Sequence, residues 1–296
     1  MTPNAEIRER MSRFVDTLQD DICTALERED GRARFREDVW QRPGGGGGRT
    51  RVISNGAVFE KGGVNVSKVH GELSDAFAKK LPGSGRTFFA TGISLVLHPE
   101  NPYVPTVHAN FRCIEQGDKA WFGGGMDLTP YYLFEEDAAH FHRALQSTCE
   151  AYQSGAYARF KRACDAYFFL KHRGEARGIG GVFFEDMGGD LLAELAFVES
   201  CGRAFLPAYL PVVARRKGTP FEAPQRTWQE VRRGRYVEFN LVYDRGTLFG
   251  LETQGRVESI LMSLPPSVQW PYDFVPPLGT PEAELLDALK SPREWI

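Results

Sequence analysis

The chain has 296 residues, of which 42% are hydrophobic and 25% are charged, and its formal net charge is −3 at pH 7. This composition is ordinary for a globular protein, and the small charge gives no indication of a nucleic-acid partner. No run of 18 apolar residues exists, and the first residues carry mixed charges, so we expect neither a membrane span nor a secretory signal. We expect a single domain over 1–296, because no segment reads as a linker.

The five cysteines are scattered along the chain and form no C-x-x-C motif. Such usage is typical of reduced thiols, so we predict a cytoplasmic location. The pattern also argues against a zinc ribbon and an iron–sulfur cluster. Since no nucleotide-binding motif or haem ligand set is present either, we predict no organic cofactor.

In chain order, the first predicted element is an amphipathic helix over 4–29, where apolar residues recur every three or four positions. The glycine run 44–48 lacks the G-K-[ST] ending of a phosphate-binding loop, so we expect a flexible loop. Its place beside Arg49 and Arg51 leaves open that it closes over an anionic ligand. Alternating patterns then predict strands over 64–70, 86–98 and 106–114.

The last two of these strands carry an unusual polar set. Because side chains alternate between the two faces of a strand, the set can line one surface if the strands pair. Its members are Ser94, His98, His108, Asn110 and Arg112. A half-exposed strand is the plainer interpretation. These residue types can, however, bind an anion or move a proton, which favours a functional face. The glycines at 123–125 would let a group approach the backbone closely.

Helices are predicted over 134–152 and 157–173. His142 lies at the edge of the apolar stripe of the first helix. His172 falls in the last turn of the second, before a C-cap at Gly174. A strand follows over 182–185, and a third helix begins near Asp190, where we expect the prolines at 207 and 211 to kink or interrupt it.

The last part of the chain alternates again, which predicts a strand over 232–244. We expect a turn at 244–247, a break at 254–256, a strand over 259–264 and a C-terminal helix over 281–289. Strands that neighbour one another in sequence, with helices in groups, favour an α+β fold with an antiparallel sheet.

Five long segments in order carry a resemblance to a known family. They are GAVFEKGGVNVSKVHG (56–71), LVLHPENPYVPTVHANFR (95–112), WFGGGMDLTPYY (121–132), KHRGEARGIGGVFFED (171–186) and GRYVEFNLVYDRGTLFGLETQGRVESILMSLPP (234–266). The chain resembles the oxygen-dependent coproporphyrinogen III oxidases, the aerobic enzymes of haem biosynthesis. That resemblance implies a large antiparallel sheet flanked by helices on both faces. It also implies a homodimer with its contact in the region 236–271.

The resemblance implies oxidative decarboxylation of the A- and B-ring propionates of coproporphyrinogen III to vinyl groups, giving protoporphyrinogen IX. Oxygen would be the co-substrate, and carbon dioxide and hydrogen peroxide would leave. Asp244 would hold the pyrrole nitrogens, Arg245 the reacting propionate, and His108 would exchange a proton. On residue types alone, Asp244-Arg245 reads as a surface turn with an ion pair. The residues that would line the substrate are Ser94, Asn110, Phe111, Arg112, Gln254, Gly255 and Arg256.

The resemblance further implies a metal role for four histidines, which are His98, His108, His142 and His172. Imidazoles bind many divalent ions, but no local motif unites these four, so a bound divalent metal and any need for it are left open. Two other classes of protein fit parts of the pattern. A histidine-based metallohydrolase would need metal and no oxygen, and a tetrapyrrole carrier would return its ligand unchanged.

Overall fold

A computed structural model describes residues 3–252 and 255–296 of the chain. In this described part, the strands are β1 (Arg36–Gln41), β2 (Gly46–Ser54), β3 (Phe59–Glu72), β4 (Thr87–Pro99), β5 (Thr106–Gln116), β6 (Lys119–Thr129), β7 (Phe169–Leu170), β8 (Glu175–Ala176) and β9 (Gly181–Met187). The helices are α1 (Pro3–Asp30), α2 (Asp75–Ala78), α3 (Glu135–Tyr152), α4 (Ala156–Tyr167), α5 (Leu191–Arg216), α6 (Ala223–Val242), α7 (Arg245–Glu252), α8 (Val257–Leu261) and α9 (Pro281–Leu289).

Seven of these strands form one antiparallel sheet, in the order β1-β2-β3-β4-β5-β6-β9. One face of the sheet is apolar and packs against α1, α3 and α5 in the main core. At the edge of this core, Gln19 of α1 donates a hydrogen bond to the Val64 carbonyl at 2.8 Å. The alternation of apolar and polar residues along each strand therefore decides which face becomes the core.

The opposite face is polar, and α6 and α8 lie against it. On α6, Gln229 and Arg233 donate to the carbonyl of Pro99 at 3.0 and 2.8 Å. On α8, the Ser259 hydroxyl lies 2.7 Å from that of Thr50 on β2. Helices thus cover both faces of an antiparallel sheet, and the α+β prediction is confirmed. Among the helices of the described residues, none combines the length and apolar content that a bilayer crossing requires.

Two segments that the sequence predicts as strands are helical, so both predictions are wrong. Residues 232–244 belong mostly to α6, and residues 259–264 belong to α8 and the turn after it. The helix α6 turns many polar side chains inward, and this hides its helical period from a hydrophobicity pattern. Its buried polar residues are Gln229, Arg232, Arg233 and Asn240.

The glycine run 44–48 is not a flexible loop. It makes the hairpin between β1 and β2, in which Arg42 donates its N–H to the Gly46 carbonyl at 2.9 Å, and its last three residues begin β2. Gly45 and Gly46 have φ values of +114° and +81°. These values suit glycine far better than any residue with a side chain.

Helix α4 ends at Tyr167, six residues earlier than predicted for 173. The chain then forms the β7–β8 hairpin, so His172 lies in a tight turn and not in the last turn of a helix. Helix α5, in contrast, continues through Pro207 and Pro211 to Arg216. Buried side chains on both sides of the prolines, such as Phe205 and Tyr209, hold the helix against the core despite the lost N–H donors.

Candidate active site

The polar residues predicted to share a strand face do share it. Ser94 stands opposite Asn110, and Gly92 stands opposite Arg112, in the β4–β5 register. These three polar side chains are half-buried, whereas His98 on the same face is fully buried. The middle of the sheet therefore presents hydrogen-bonding groups that remain accessible beside α6–α8.

Arg112 reaches across β6 because glycine leaves the space. A Cβ atom at Gly123 would lie 2.9 Å from Nη2 of Arg112, so any larger residue would push the guanidinium away. The β6–β9 register shifts between Phe122 and Gly124, so that Glu185 and Asp186 stand opposite Gly123 alone. Such bulges re-aim side chains and are frequent beside active sites.

A carboxylate joins two of the predicted substrate-binding arginines. Glu185 on β9 accepts from Arg112 at 2.8 Å with one oxygen and from Arg245 at 2.7 Å with the other. Burial lowers the pKa of Arg245, but the charge of Glu185 and contact with Tyr167 outweigh it, so this pKa is raised. Arginine is always charged in proteins, and these two guanidinium groups face one point, where an anionic group can bind.

Asp244 lies directly before α7 and is held by two donors. Its Oδ1 accepts from the Tyr167 hydroxyl at 3.0 Å, and its Oδ2 accepts from the N–H of Thr247 at 2.7 Å. Tyr167 also accepts the N–H of Arg245 at 3.2 Å, and its ring stacks on Phe183 with centroids 4.3 Å apart. Burial, and then the nearby carboxylate, raise the pKa of Tyr167 to about 12, which keeps it a proton donor.

A second cluster fixes His108. Its Nδ1 lies 2.8 Å from Asp127, which in turn accepts from Arg177 at 2.7 Å. Burial raises the pKa of Asp127, but the charges of Arg177 and His108 overcome this effect and lower it below the ordinary value. The carboxylate is thus ionised and holds the proton on Nδ1 of His108, while Nε2 has no protein partner among the described residues. This nitrogen is free to exchange a proton.

Three of the predicted substrate-binding residues lie apart from these clusters, and a fourth cannot be placed among them. Phe111 packs in the core on the opposite face of the sheet, so its side chain does not reach the polar face. Arg256 caps α8 and forms an ion pair with Asp38 on β1, beside a cavity of about 160 Å³ that Asp38 also lines. Gly255 donates its N–H to the Gly250 carbonyl at 2.7 Å. Gln254 lies outside the described residues.

The four histidines do not converge on a metal site within this chain. His98 lies between Thr106 and the Ser263 carbonyl, and His142 lies between Tyr157 and the Ile179 carbonyl. A carbonyl oxygen only accepts hydrogen bonds, so each ring is protonated on Nε2. The Nδ1 of each ring is already paired with a hydroxyl, so neither nitrogen is left for a metal. Burial lowers the pKa of both rings, for His142 to about 3. His172 is held by Tyr243 and Glu238.

His108 alone of the four has a free nitrogen in the described structure. In that same part of the chain, no group of three or more His, Cys, Asp or Glu side chains is placed to hold a metal ion. A single metal centre built from the four histidines therefore does not fit this chain.

Sequence reasoning missed Tyr167, Glu185, Asp127 and Arg177. The last three fall within segments that carry the family resemblance, and Asp127 lies two residues after the glycine run 123–125 in the same motif, which was a usable signal. Tyr167 had no signal of its own, because its role arises only where α4 ends against α7.

Comparison with known proteins supports one assignment. The family model described as coproporphyrinogen III oxidase matches residues 10–295. A protein of Glycine max named oxygen-dependent coproporphyrinogen-III oxidase, chloroplastic, is 51% identical, and the alignment covers 99% of this chain and 80% of that relative. The match includes every described residue of both clusters. The chain belongs to the coproporphyrinogen III oxidase family.

Proposed function

We propose that this chain is an oxidoreductase that converts coproporphyrinogen III to protoporphyrinogen IX in haem biosynthesis, with oxygen as the electron acceptor. One observation carries the proposal within this family. Two charged arginines, from β5 and from α7, converge on one point beside the carboxylate of Asp244 on the polar face of the sheet. A substrate with propionates at its rim and pyrrole N–H groups at its centre needs that combination.

Each decarboxylation removes one propionate carboxylate as carbon dioxide. The carbon next to the ring gives up a hydrogen with its electron pair, and a vinyl group remains. Oxygen takes that hydride equivalent together with one proton and leaves as hydrogen peroxide, so atoms and electrons balance. The protein's tasks are to position the substrate, to stabilise charge and to move protons.

Arg245 and Arg112 would bind propionates, because a guanidinium can pair with a carboxylate through two parallel hydrogen bonds. Arg256, across α8, would bind another part of the rim. Asp244 would accept pyrrole N–H groups and assist their deprotonation, since each of its oxygens keeps a free lone pair. His108 would supply or accept a proton through Nε2.

The remaining lining residues on this face are Ser94, Asn110, Gln254 and Gly255. Phe111 would contribute through its backbone only, because its side chain belongs to the core. No step is assigned to a divalent metal, since the four histidines do not fit one centre within the chain.

The test uses protein stripped of metal with a chelator and supplied with coproporphyrinogen III in air and in an oxygen-free box. We expect protoporphyrinogen IX in air only, identified by chromatography after oxidation. Product that forms only after a divalent ion is added would restore a metal to the mechanism. Tight binding without product under any condition would favour a tetrapyrrole carrier.

We also propose a homodimer with its contact in the region 236–271. This region leaves several large apolar side chains exposed, which a second copy would cover. They are Leu241, Val242, Leu248, Leu251 and Val257. A cytoplasmic location also stays a proposal. The name of the Glycine max relative includes the word chloroplastic. Cell fractionation with an antibody against this chain would test the location.

A further inference from the structure

The carboxylate of Glu185 occupies the point on which two arginines converge. It pairs with Arg112 at 2.8 Å and with Arg245 at 2.7 Å, one oxygen to each guanidinium. The exposed fraction of the side chain is 28% for Glu185, 31% for Arg112 and 61% for Arg245. The ion pairs therefore lie at a surface that a ligand can reach, and water can screen them.

The protein builds this contact with special backbone features. Glu185 stands in the bulge opposite Gly123, where Arg112 passes over the missing side chain. The next residue, Asp186, has φ +52°, a left-handed conformation that is uncommon for any residue except glycine. The bulge and the left-handed residue after it place Glu185 opposite Gly123, beside the guanidinium of Arg112.

A glutamate side chain is chemically a propionate, since it carries a carboxylate on two methylene groups. We propose that Glu185 is an internal stand-in for a substrate propionate, bound by Arg112 and Arg245 until the substrate displaces it. The inference rests on the proposed function and concerns the same site. In this proposal, the two arginines bind the substrate propionate, and Glu185 sets how tightly they bind it.

Displacement has a cost and a use. The substrate must break two ion pairs before it makes its own, so Glu185 weakens binding. A molecule without a well-placed carboxylate cannot form new ion pairs with the arginines, so it does not displace Glu185 and does not bind. Once a propionate has become a vinyl group, it no longer competes for the arginines, and the return of Glu185 favours departure of that ring.

The decisive variant is Glu185→Gln, which keeps the size of the side chain and removes its charge. Binding is measured with coproporphyrin III, the oxidised tetracarboxylate that cannot be decarboxylated, from the change in its fluorescence on titration. We expect the dissociation constant to fall about 3- to 10-fold at low salt, because an attached competitor has lost its charge. The gain should shrink at 0.5 M NaCl, where exposed charges are screened within about 4 Å. The KM for coproporphyrinogen III should fall in the same proportion.

Glu199→Gln is the matched control. Glu199 also joins two arginines, Arg10 and Arg203, but it does so between α1 and α5 on the other side of the sheet. Its variant should bind coproporphyrin as the wild type does. Glu185→Ala, which also lacks the charge, repeats the test if the glutamine variant folds poorly.

Unchanged or weaker binding by both Glu185 variants would overturn the inference, because Glu185 would then be a brace that positions the arginines. Turnover by the wild type is measured on the same preparation. A wild type that binds coproporphyrin but converts no coproporphyrinogen would refute the proposed function. The ratio of dissociation constants between variant and wild type would still decide what Glu185 does.

Discussion

At the scale of single residues, the site depends on which atoms keep a free hydrogen-bonding position. Asp244 uses one lone pair of each oxygen, for Tyr167 and for Thr247, and His108 uses only Nδ1. The groups that the sequence singles out are therefore held in place by neighbours and still available. Tyr167 comes from α4, which is distant from Asp244 in sequence, and this is why no local pattern could reveal it.

Tyr167 should act as a positioning residue for Asp244. In Tyr167→Phe, the ring can keep its stacking on Phe183, but the hydroxyl that donates to Asp244 Oδ1 is lost. The carboxylate is then held on one side only, so we expect kcat to fall about 10-fold, the loss of roughly one hydrogen bond of about 1.4 kcal/mol. KM should change less than twofold. Steady-state kinetics of oxygen consumption measure both constants.

Tyr157→Phe is the control for that prediction, because it deletes a second hydroxyl from the same helix. Tyr157 donates to the buried His142, away from the site. This variant should lose stability in a thermal melt and keep its kcat. Equal loss of kcat in the two variants would mean that α4 acts as a whole and that the Tyr167 hydroxyl has no specific role.

At the scale of elements, Asp244 has a second task as the N-cap of α7. Its Oδ2 accepts from the N–H of Thr247 and its carbonyl accepts from Leu248. A change to alanine therefore removes both a carboxylate and a cap, and the cap alone contributes about 1 kcal/mol to a helix that begins with Arg245.

Asp244→Ser separates these tasks, because serine is a good N-cap without a charge. We expect Asp244→Ala and Asp244→Ser both to lose turnover by at least about 100-fold, as expected for loss of a group that moves a proton. Only the alanine variant should show a lower melting temperature. If the serine variant recovers activity, Asp244 serves the helix and not the substrate, and the proposed mechanism loses its base.

Glu238 on α6 fastens the β7–β8 hairpin and the segment around Trp270 to that helix. It accepts from Arg173 at 2.8 Å, from His172 at 2.7 Å and from the Trp270 indole at 2.9 Å. Burial raises the pKa of Glu238, but these donors and the nearby cations overcome burial and lower it from 4.5 to about 2. His172, which resemblance assigned to a metal, is thus occupied by a structural contact.

A carboxyl whose pKa is lowered by folding stabilises the protein above its unfolded pKa and loses that effect as pH falls through the folded value. The contribution of Glu238 should therefore be complete above about pH 4.5 and vanish toward pH 2. At pH 7, Glu238→Gln should lower the unfolding free energy by about 2 kcal/mol and should therefore melt at a lower temperature than the wild type. The difference in melting temperature between variant and wild type should become smaller as the pH falls. Asp287→Asn, at an exposed ion pair with Lys290, is the control without effect.

The elements also indicate how far sequence reasoning extends. The helix at 4–29 and the strands around 64–70, 86–98 and 106–114 are found because one side of each faces an apolar core, which makes the period visible. The helix α6 is missed because the surface it covers is polar. Its inner side mixes arginine, glutamine and asparagine with apolar residues such as Trp228 and Phe239, and only the alternation at 237–243 remained to suggest a strand.

In the whole molecule, the two faces of the sheet have different roles. The apolar face supplies the core with α1, α3 and α5. The polar face buries ionised groups, such as Arg177 and Asp127, that require partners. A family resemblance and strand alternation were enough to predict the fold class and most of the polar set. They were not enough to predict Glu185, because its position depends on a bulge two strands away from Arg112.

The end of α6 presents exposed apolar side chains. Val242 is 56% exposed within the region 236–271 and directly follows Leu241 in sequence, which is 43% exposed. In a symmetric dimer each substitution appears twice in one interface. Val242→Lys should therefore weaken dimerisation at least tenfold, because two charges would be buried without partners.

Light scattering after size exclusion, over a range of concentrations, measures the effect. Leu192→Lys is the control, since Leu192 is 54% exposed at the start of α5, outside that region. We expect the wild type and the Leu192 variant to have twice the mass of the chain, and the Val242 variant to dissociate on dilution. A monomeric wild type would end the homodimer proposal. A dimeric Val242 variant would move the contact away from α6, and the exposed side chains at 241–257 would then need another explanation.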